Sequence, residues 1–345
     1  MSQDRSFNVL LTCAGRRNYL VNYFREAQAG RGLICAADAS PHAAALQEAD
    51  VALVVPSYSA PDYIDTILAK CREHDVRLVL SLNDYELPLL AAHAPRFGAL
   101  GITPVVSSPD VIDICFDKWA TSSFLSKIGL AGPATWTSLP KAKQALQNGE
   151  LKLPLVVKPR WGSGSAGIYP VETVEELDAA WQLCRLKSGL PDSAGHAEAA
   201  RSVLIQERLR GDEYGLDVVN DLEGNYVTTF VRRKLAMRAG ETDRAIMVND
   251  SRLEAIGKRL GQSLRHIGNL DCDVFLDGEE CRVLELNPRF GGGYPFSHMA
   301  GANLPAALIA WVLGQTPSPS WLTVQPNVVG AKCDRLVAVT AGAGK

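Results

Sequence analysis

Short apolar runs alternate with longer, helically patterned stretches through the first third of the chain. "NVLLTC" (8–13), "LICAAD" (33–38), "DVALVVP" (50–56) and "RLVLSL" (77–82) read as buried strands. Between them, "NYLVNYFREAQAG" (18–30) and "DYIDTILAKCREHD" (62–75) carry apolar residues at helical spacing, and the first closes on Gly30. This rhythm predicts a parallel sheet with helices on its faces. Ligands of such sheets bind beyond the carboxyl ends of the strands. Here those ends carry "CAGRRN" (13–18) and "SLNDYE" (81–86).

The pattern then changes. "DVIDICFDKWATSSFLSKIGL" (110–130) predicts a helix or pair of helices. Strands are predicted at 153–159, 202–209, 213–221 and 225–233, the last two joined by "LEGN" as an antiparallel hairpin. "DSRLEAIGKRLGQSLRHIG" (250–268) is an amphipathic helix. "CDVFLDGEECRVLELNP" (272–288) is a second hairpin turning at Asp277–Gly278. "LPAALIAWVLG" (304–314) reads as a core helix rather than an oligomer contact. The fold class expected is α/β and α+β: a parallel-sheet domain over 1–114, a larger mixed domain over 115–335 and a tail over 336–345.

Composition narrows the partners. The 345 residues are 47% hydrophobic, with 35 Lys and Arg against 38 Asp and Glu, for a net charge of −3. That balance argues against a nucleic-acid backbone, which needs a basic surface. No apolar run is long enough to span a membrane, and the first residues do not resemble a secretory signal. The eight cysteines are scattered without a CxxC, as expected for reduced thiols in a cytoplasmic protein.

The chemistry gathers in the second half. "VVKPRWGSGSAGI" (156–168) delivers Lys158 from a strand into a loop with Gly162, Ser163, Gly164, Ser165 and Gly167. Small residues let backbone N–H groups approach phosphate oxygens. No GK[ST] ends the loop, so it is not a Walker A motif. "QERLRGDEYGLDV" (206–218) offers a linker with backbone donors and acceptors for a base and a carboxylate for a ribose. "LELNPRFGGGYP" (284–295) puts Glu285 and Asn287 on one face of a strand, with Leu284 and Leu286 expected on the other. Asp273 lies on the partner strand. Two carboxylates and an amide suit Mg²⁺, and Arg289 can fork onto a phosphoryl group. The glycines that follow imply that something approaches the backbone closely.

"TCAGRRNYL", "SLNDYEL", "FDKW", "RAGETD" and "LELNPRFGGG", taken in this order with Lys158, the Glu-x-Leu strand and Asp273, resemble the ATP-grasp superfamily. Within it the likeness is to single-copy relatives of the carbamoyl-phosphate synthase large subunit. The resemblance implies a pre-ATP-grasp domain followed by an ATP-grasp fold whose lid, about 120–205, carries the mobile glycine loop. It implies that Lys118, Lys158 and the loop contact ATP phosphates. Gln206 or Glu207 and Leu209 would contact adenine, and Glu213 the ribose. Asp273, Glu285 and Asn287 would hold Mg²⁺, with Mn²⁺ as an alternative, and Arg289 and Lys158 would serve catalysis.

The implied activity is a carboxylate–amine ligase that forms an acyl phosphate and releases ADP and phosphate. Small-molecule substrates are expected, in a chain that could form a homodimer. Arg16 and Arg17 at a strand end, with Arg232, Arg233, Lys234 and Arg238 before "AGETD", form a cationic group suited to an anionic carboxylate, and of these Arg16, Arg233 and Arg238, with Gly292, are the candidate substrate contacts. A ligase acting on a peptide or protein terminus, and a non-catalytic ATP-binding protein, are the alternatives. An NAD-dependent oxidoreductase is disfavoured, because "CAGRRN" lacks GxGxxG.

Overall fold

The structure is a computed structural model that describes residues 7–162, 167–188 and 201–339. The N-terminal domain is a five-stranded parallel sheet in the order β3-β2-β1-β4-β5, built from β1 (Asn8–Thr12), β2 (Ile34–Asp38), β3 (Val51–Val54), β4 (Val76–Ser81) and β5 (Thr103–Val105). β1 shows why these strands lack alternation. Val9 and Leu11 face a core formed with Leu20 and Phe24 of one helix and Leu304 and Leu308 of another. Leu10 faces Ile64, Ile67 and Leu90 on the opposite side. Both faces are covered, so the three central positions, Val9 to Leu11, are all apolar. The helix Leu304–Val312 thus closes one face of the N-terminal sheet and is buried over nearly its whole length.

The loops after β1 and β4 are tied together by Glu86. Its fully buried carboxylate accepts from Thr12 (2.9 Å), Ser81 (2.7 Å) and Tyr63 (2.7 Å) hydroxyls. Burial pushes the acid up, against those donors.

A small sheet of order β6-β9-β7-β8 follows, with β6 (Thr135–Trp136), β7 (Leu155–Pro159), β8 (Tyr169–Val171) and β9 (Val203–Glu207). The largest sheet is antiparallel, order β14-β13-β10-β11-β12-β15. Its strands are β10 (Asp212–Asn220), β11 (Tyr226–Arg238), β12 (Glu241–Val248), β13 (Gly268–Asp277), β14 (Glu280–Asn287) and β15 (Val329–Ala331). The helix Ser251–Leu264 packs Leu253, Ile256 and Leu260 against its core face.

Two expectations are corrected. β11 runs five residues past 233 and returns as β12 through Ala239 and Gly240, both left-handed at φ +50° and +79°. That is the backbone of a tight type I′ hairpin. The extension was hidden because its apolar residues, Leu235 and Met237, are exposed. The second hairpin turns one residue later than expected, since Asp277 pairs with Glu280 across Gly278 and Glu279.

No described helix is long and apolar enough to cross a membrane. All eight cysteines are unpaired.

His266 gives the fold a pH signature. The ring is fully buried, and its Nε2 donates to the Val218 carbonyl at 3.0 Å. Burial, only partly opposed by that bond, pulls its pKa from 6.5 down to about 4. Between these values the unfolded chain binds the extra proton, so stability rises with pH and is lost as pH falls from 6.5 toward 4. The window corresponds to about 3 kcal/mol. Urea unfolding at pH 7 and pH 4.5 should show His266→Gln with a smaller acid loss than the parent chain. An identical loss would remove His266 as its source.

Candidate active site

A cleft of about 370 Å³ opens where the small sheet and the N-terminal strand ends face the large sheet. Its floor is set by register. Gly215 of β10 pairs with Asp273 of β13, which pairs with Glu285 of β14. One step along, Asp217 pairs with Asp271 and Asp271 with Asn287. Directly paired residues share a face, so these side chains collect on one surface. β11 adds Arg232 and Lys234, two apart on the same strand.

β14 departs from simple alternation. Asp273 pairs with Glu285 but Val274 pairs with Val283, so Leu284 is an extra residue. This bulge lets Leu284 and Glu285 both line the cleft, while Val283 and Leu286 are buried beneath. Leu284 therefore does not face the core as period-two alternation predicted.

Most of the cleft acids already hold a cation. Lys234 donates to Glu213 and Asp273, each at 2.7 Å. Arg232 donates to Asp217 and Asp271, each at 2.6 Å. Arg289 donates to Asp84 at 2.7 Å and lies 3.6 Å from Asp271. Glu241 pairs with Lys332 at 3.1 Å. Among the described residues, Glu285 alone of these acids makes no ion pair or hydrogen bond, and the Asn287 side chain is likewise free.

Two lysines reach the same end of the cleft. Lys158 comes from β7 and is buried. Burial and, more weakly, Lys118 pull its pKa from 10.5 down to about 8, with Glu285 opposing. Lys118 opens the helix Lys118–Lys127, and its Nζ donates to the Gly162 carbonyl. Asp117 caps that helix and takes a two-pronged bond from Arg160, at 2.7 and 2.6 Å, which ties the helix to the start of the glycine loop.

Comparison with known proteins bears on this arrangement. The family described as "PylC-like, N-terminal domain" matches residues 9–105, and "ATP-grasp in the biosynthetic pathway with Ter operon" matches residues 199–332. The biotin carboxylase of Campylobacter jejuni, solved with βγ-ATP, superposes over 92% of this chain and 73% of its own, with a TM-score of 0.72 at 16% identity. The chain is an ATP-grasp protein.

An N5-carboxyaminoimidazole synthetase from Staphylococcus aureus, complexed with ADP, matches over 95% of this chain and 81% of its own, with a TM-score of 0.67 at 16% identity. The carbamoyl phosphate synthase large chain of Thermotoga neapolitana is 28% identical over 296 residues, 81% of this ATP-grasp chain. The chain spans only 25% of that relative's length.

The ATP-grasp chain places the expected residues unevenly. Lys118, Lys158, Gly162, Glu213, Asp273, Glu285, Asn287, Arg289 and Gly292 all line the cleft. Glu207 and Leu209 instead line a second recess of about 300 Å³, which shares Phe275 with the cleft. Glu207 accepts from the Ala134 N–H at 3.0 Å and pairs with Arg282. Gln206 turns into the small sheet, donating to Thr135 at 2.8 Å. A side-chain role for either at a base in the cleft is not supported by this geometry; backbone contacts from the linker remain open to them. Gly167 sits at φ +72° just before β8. Ser163, Gly164 and Ser165 lie outside the described residues.

The substrate arginines are redistributed. Arg16 is exposed and does not line the cleft. Its neighbour Arg17 does, with Nη1 donating to the Phe290 carbonyl at 2.9 Å. Arg233, one residue out of phase with the cleft-facing Arg232 and Lys234, lies 3.6 Å from Asp212. Arg238 is half exposed and held by Asp243 at 3.0 Å and Asp334 at 2.6 Å.

The close approach expected at the glycines is present, and the protein itself makes it. A Cβ on Gly291 would lie 2.1 Å from Asp271, and one on Gly293 2.1 Å from Arg232. The close approach is by the protein's own buried charges. Gly292 and Gly293 both line the cleft, and Gly292 has Glu241 and Lys332 beside it.

Proposed function

We propose that this chain is an ATP-dependent carboxylate–amine ligase, working through an acyl phosphate and releasing ADP and phosphate. The observation that carries this is the unpaired oxygen set, Glu285 and Asn287, facing Lys158 and Lys118 in a cleft whose other acids are neutralised. A carboxylate and an amide oxygen left free beside two cations fit one hard divalent ion next to a polyphosphate. Glu285 and Asn287 would hold Mg²⁺, and the ion would screen charge on the phosphates as they react.

The chain's own residues do the remaining work. Lys158 and Lys118 would bind the phosphates, and Glu213 and Lys234 would meet the ribose end. Ile168, Phe275 and Leu284 give the slot apolar walls. Arg289, fixed by Asp84 from the N-terminal domain, would orient the carboxylate that attacks the γ-phosphate. Burial would depress its pKa, but Asp84 and Asp271 outweigh that and hold it protonated. No enzyme nucleophile is required, so catalysis reduces to positioning and charge stabilisation.

The test is ADP release with Mg²⁺-ATP across a panel of small carboxylates and amines, alone and in pairs. Release that needs one carboxylate and one amine supports the ligase. Nucleotide binding without release from any pair would favour the non-catalytic alternative.

Lys158 adds a pH prediction. A phosphate beside it favours the charged form, so above about pH 8 binding must take up a proton. ADP affinity should therefore fall as pH rises beyond 8, approaching about tenfold per unit. Lys158→Arg should flatten the dependence. Calorimetry between pH 7 and 9.5 checks this, and a flat parental profile would remove Lys158 from the phosphate site. In the free chain the same group makes stability rise between pH 8 and 10.5, as the buried cation is relieved.

A further inference from the structure

We propose that Lys234 is a resident cation of this site, and that the cleft accordingly takes one divalent ion, on Glu285 and Asn287, with Asp273 outside the ligand set. This rests on the nucleotide reading above.

The placement is specific. Lys234 is 5% exposed at the side chain, and its ammonium lies 2.7 Å from both Glu213 and Asp273. Asp273 is the direct cross-strand partner of Glu285. An ion bridging that pair would sit beside the ammonium, dication against cation, and would have to break the Lys234–Asp273 bond to gain its ligand. Among the described residues no group of three acids, histidines or cysteines is arranged to hold a metal.

The ammonium has three N–H donors, and two are used. The third is left for a ligand oxygen. Lys234 would thus act as a fixed positive charge between the ribose acid and the phosphates. Arg232, two residues earlier on β11, neutralises the next pair of acids in the same way. The pattern along the floor is acid pair and internal cation, twice, and then one acid left for an external ion.

The experiment counts Mn²⁺ ions by the loss of the free-ion electron paramagnetic resonance signal, at saturating ADP, on the full chain. The parent should bind one nucleotide-dependent ion. Lys234→Gln should expose Asp273 and Glu213 and bring in a second. Asp273→Asn, which keeps a hydrogen-bonding group beside Lys234, should still hold one ion, with affinity reduced by no more than about 100-fold, as for a neighbour rather than a ligand. Two ions in the parent, an unchanged count of one in Lys234→Gln, or loss of the ion in Asp273→Asn would each overturn the inference while leaving the nucleotide site standing. No nucleotide-dependent ion in any form would overturn both.

Discussion

Glu285→Ala is expected to leave a folded chain whose carboxylate-dependent ADP release falls by about 10³-fold or more. The size follows from what Glu285 is not doing in the fold. Asp217, Asp271, Asp273, Glu213 and Asp84 each hold an internal cation, so removing one of them breaks a buried or half-buried ion pair. Glu285 makes no ion pair or hydrogen bond among the described residues, and its removal costs the fold its longer-range attraction for Lys158. Function should therefore fall far more than stability. Circular dichroism should give a melting temperature only slightly below the parent's, while a coupled ADP assay gives the loss. Turnover within tenfold of the parent would sink the metal role and with it the carrying observation for the ligase.

The same variant has a second readout. Glu285 is what holds the Lys158 pKa up against burial and Lys118. Without it the lysine loses its proton at lower pH, so the fall in ADP affinity should begin below pH 8. That shift separates a charge effect on Lys158 from a simple steric loss.

How much of this was legible beforehand depended on which residues a motif could reach. The parallel sheet was plain because β1 carries an unbroken apolar run, Val9 to Leu11, as two-sided burial demands. Glu285, Asn287 and Arg289 were visible because they sit two apart after an apolar run. Lys234 was named only as one of four cations suited to an anionic substrate, not as the partner of Asp273, and Asp84 was not singled out. Lys234 sits among other cations, and only β-strand phase separates it and Arg232 from Arg233, which points elsewhere. Leu284 was assigned to the wrong face because one extra residue in β14 cannot be seen without its partner strand. Arg16 and Arg17 are adjacent, and the loop backbone decides which reaches the cleft. The glycines were read as a close approach to the backbone, but nothing in "FGGG" shows that Asp271 and Arg232 are what press against them.

Those glycines carry the other large effect. Arg232→Ala should destabilise the chain by about 3–5 kcal/mol, the cost of stranding buried charge. Arg232 is 1% exposed and lies between Asp217, which is fully buried, and Asp271. One guanidinium cannot fully compensate two acids. Asp271 has further help from Arg289 and Lys234, and despite its burial these hold its pKa down. Asp217 relies on Arg232 with Ser297 and Asn269, and burial pushes it up. Without Arg232, Asp217 would rise further and take up a proton on folding. The folded variant would then bind more protons than its unfolded chain around neutrality, so its stability should fall as pH rises from 5 to 7. Gly293→Ala supplies an independent arm, because its new Cβ would collide with the Arg232 guanidinium. Taken singly, both changes should be costly. In the Arg232→Ala background the added methyl has room, so the double variant should be little worse than Arg232→Ala alone. A double-mutant cycle by urea unfolding measures that coupling. Additive costs would mean that Gly293 is required by its backbone rather than by the charge beneath it, and the account of the glycine run would have to change.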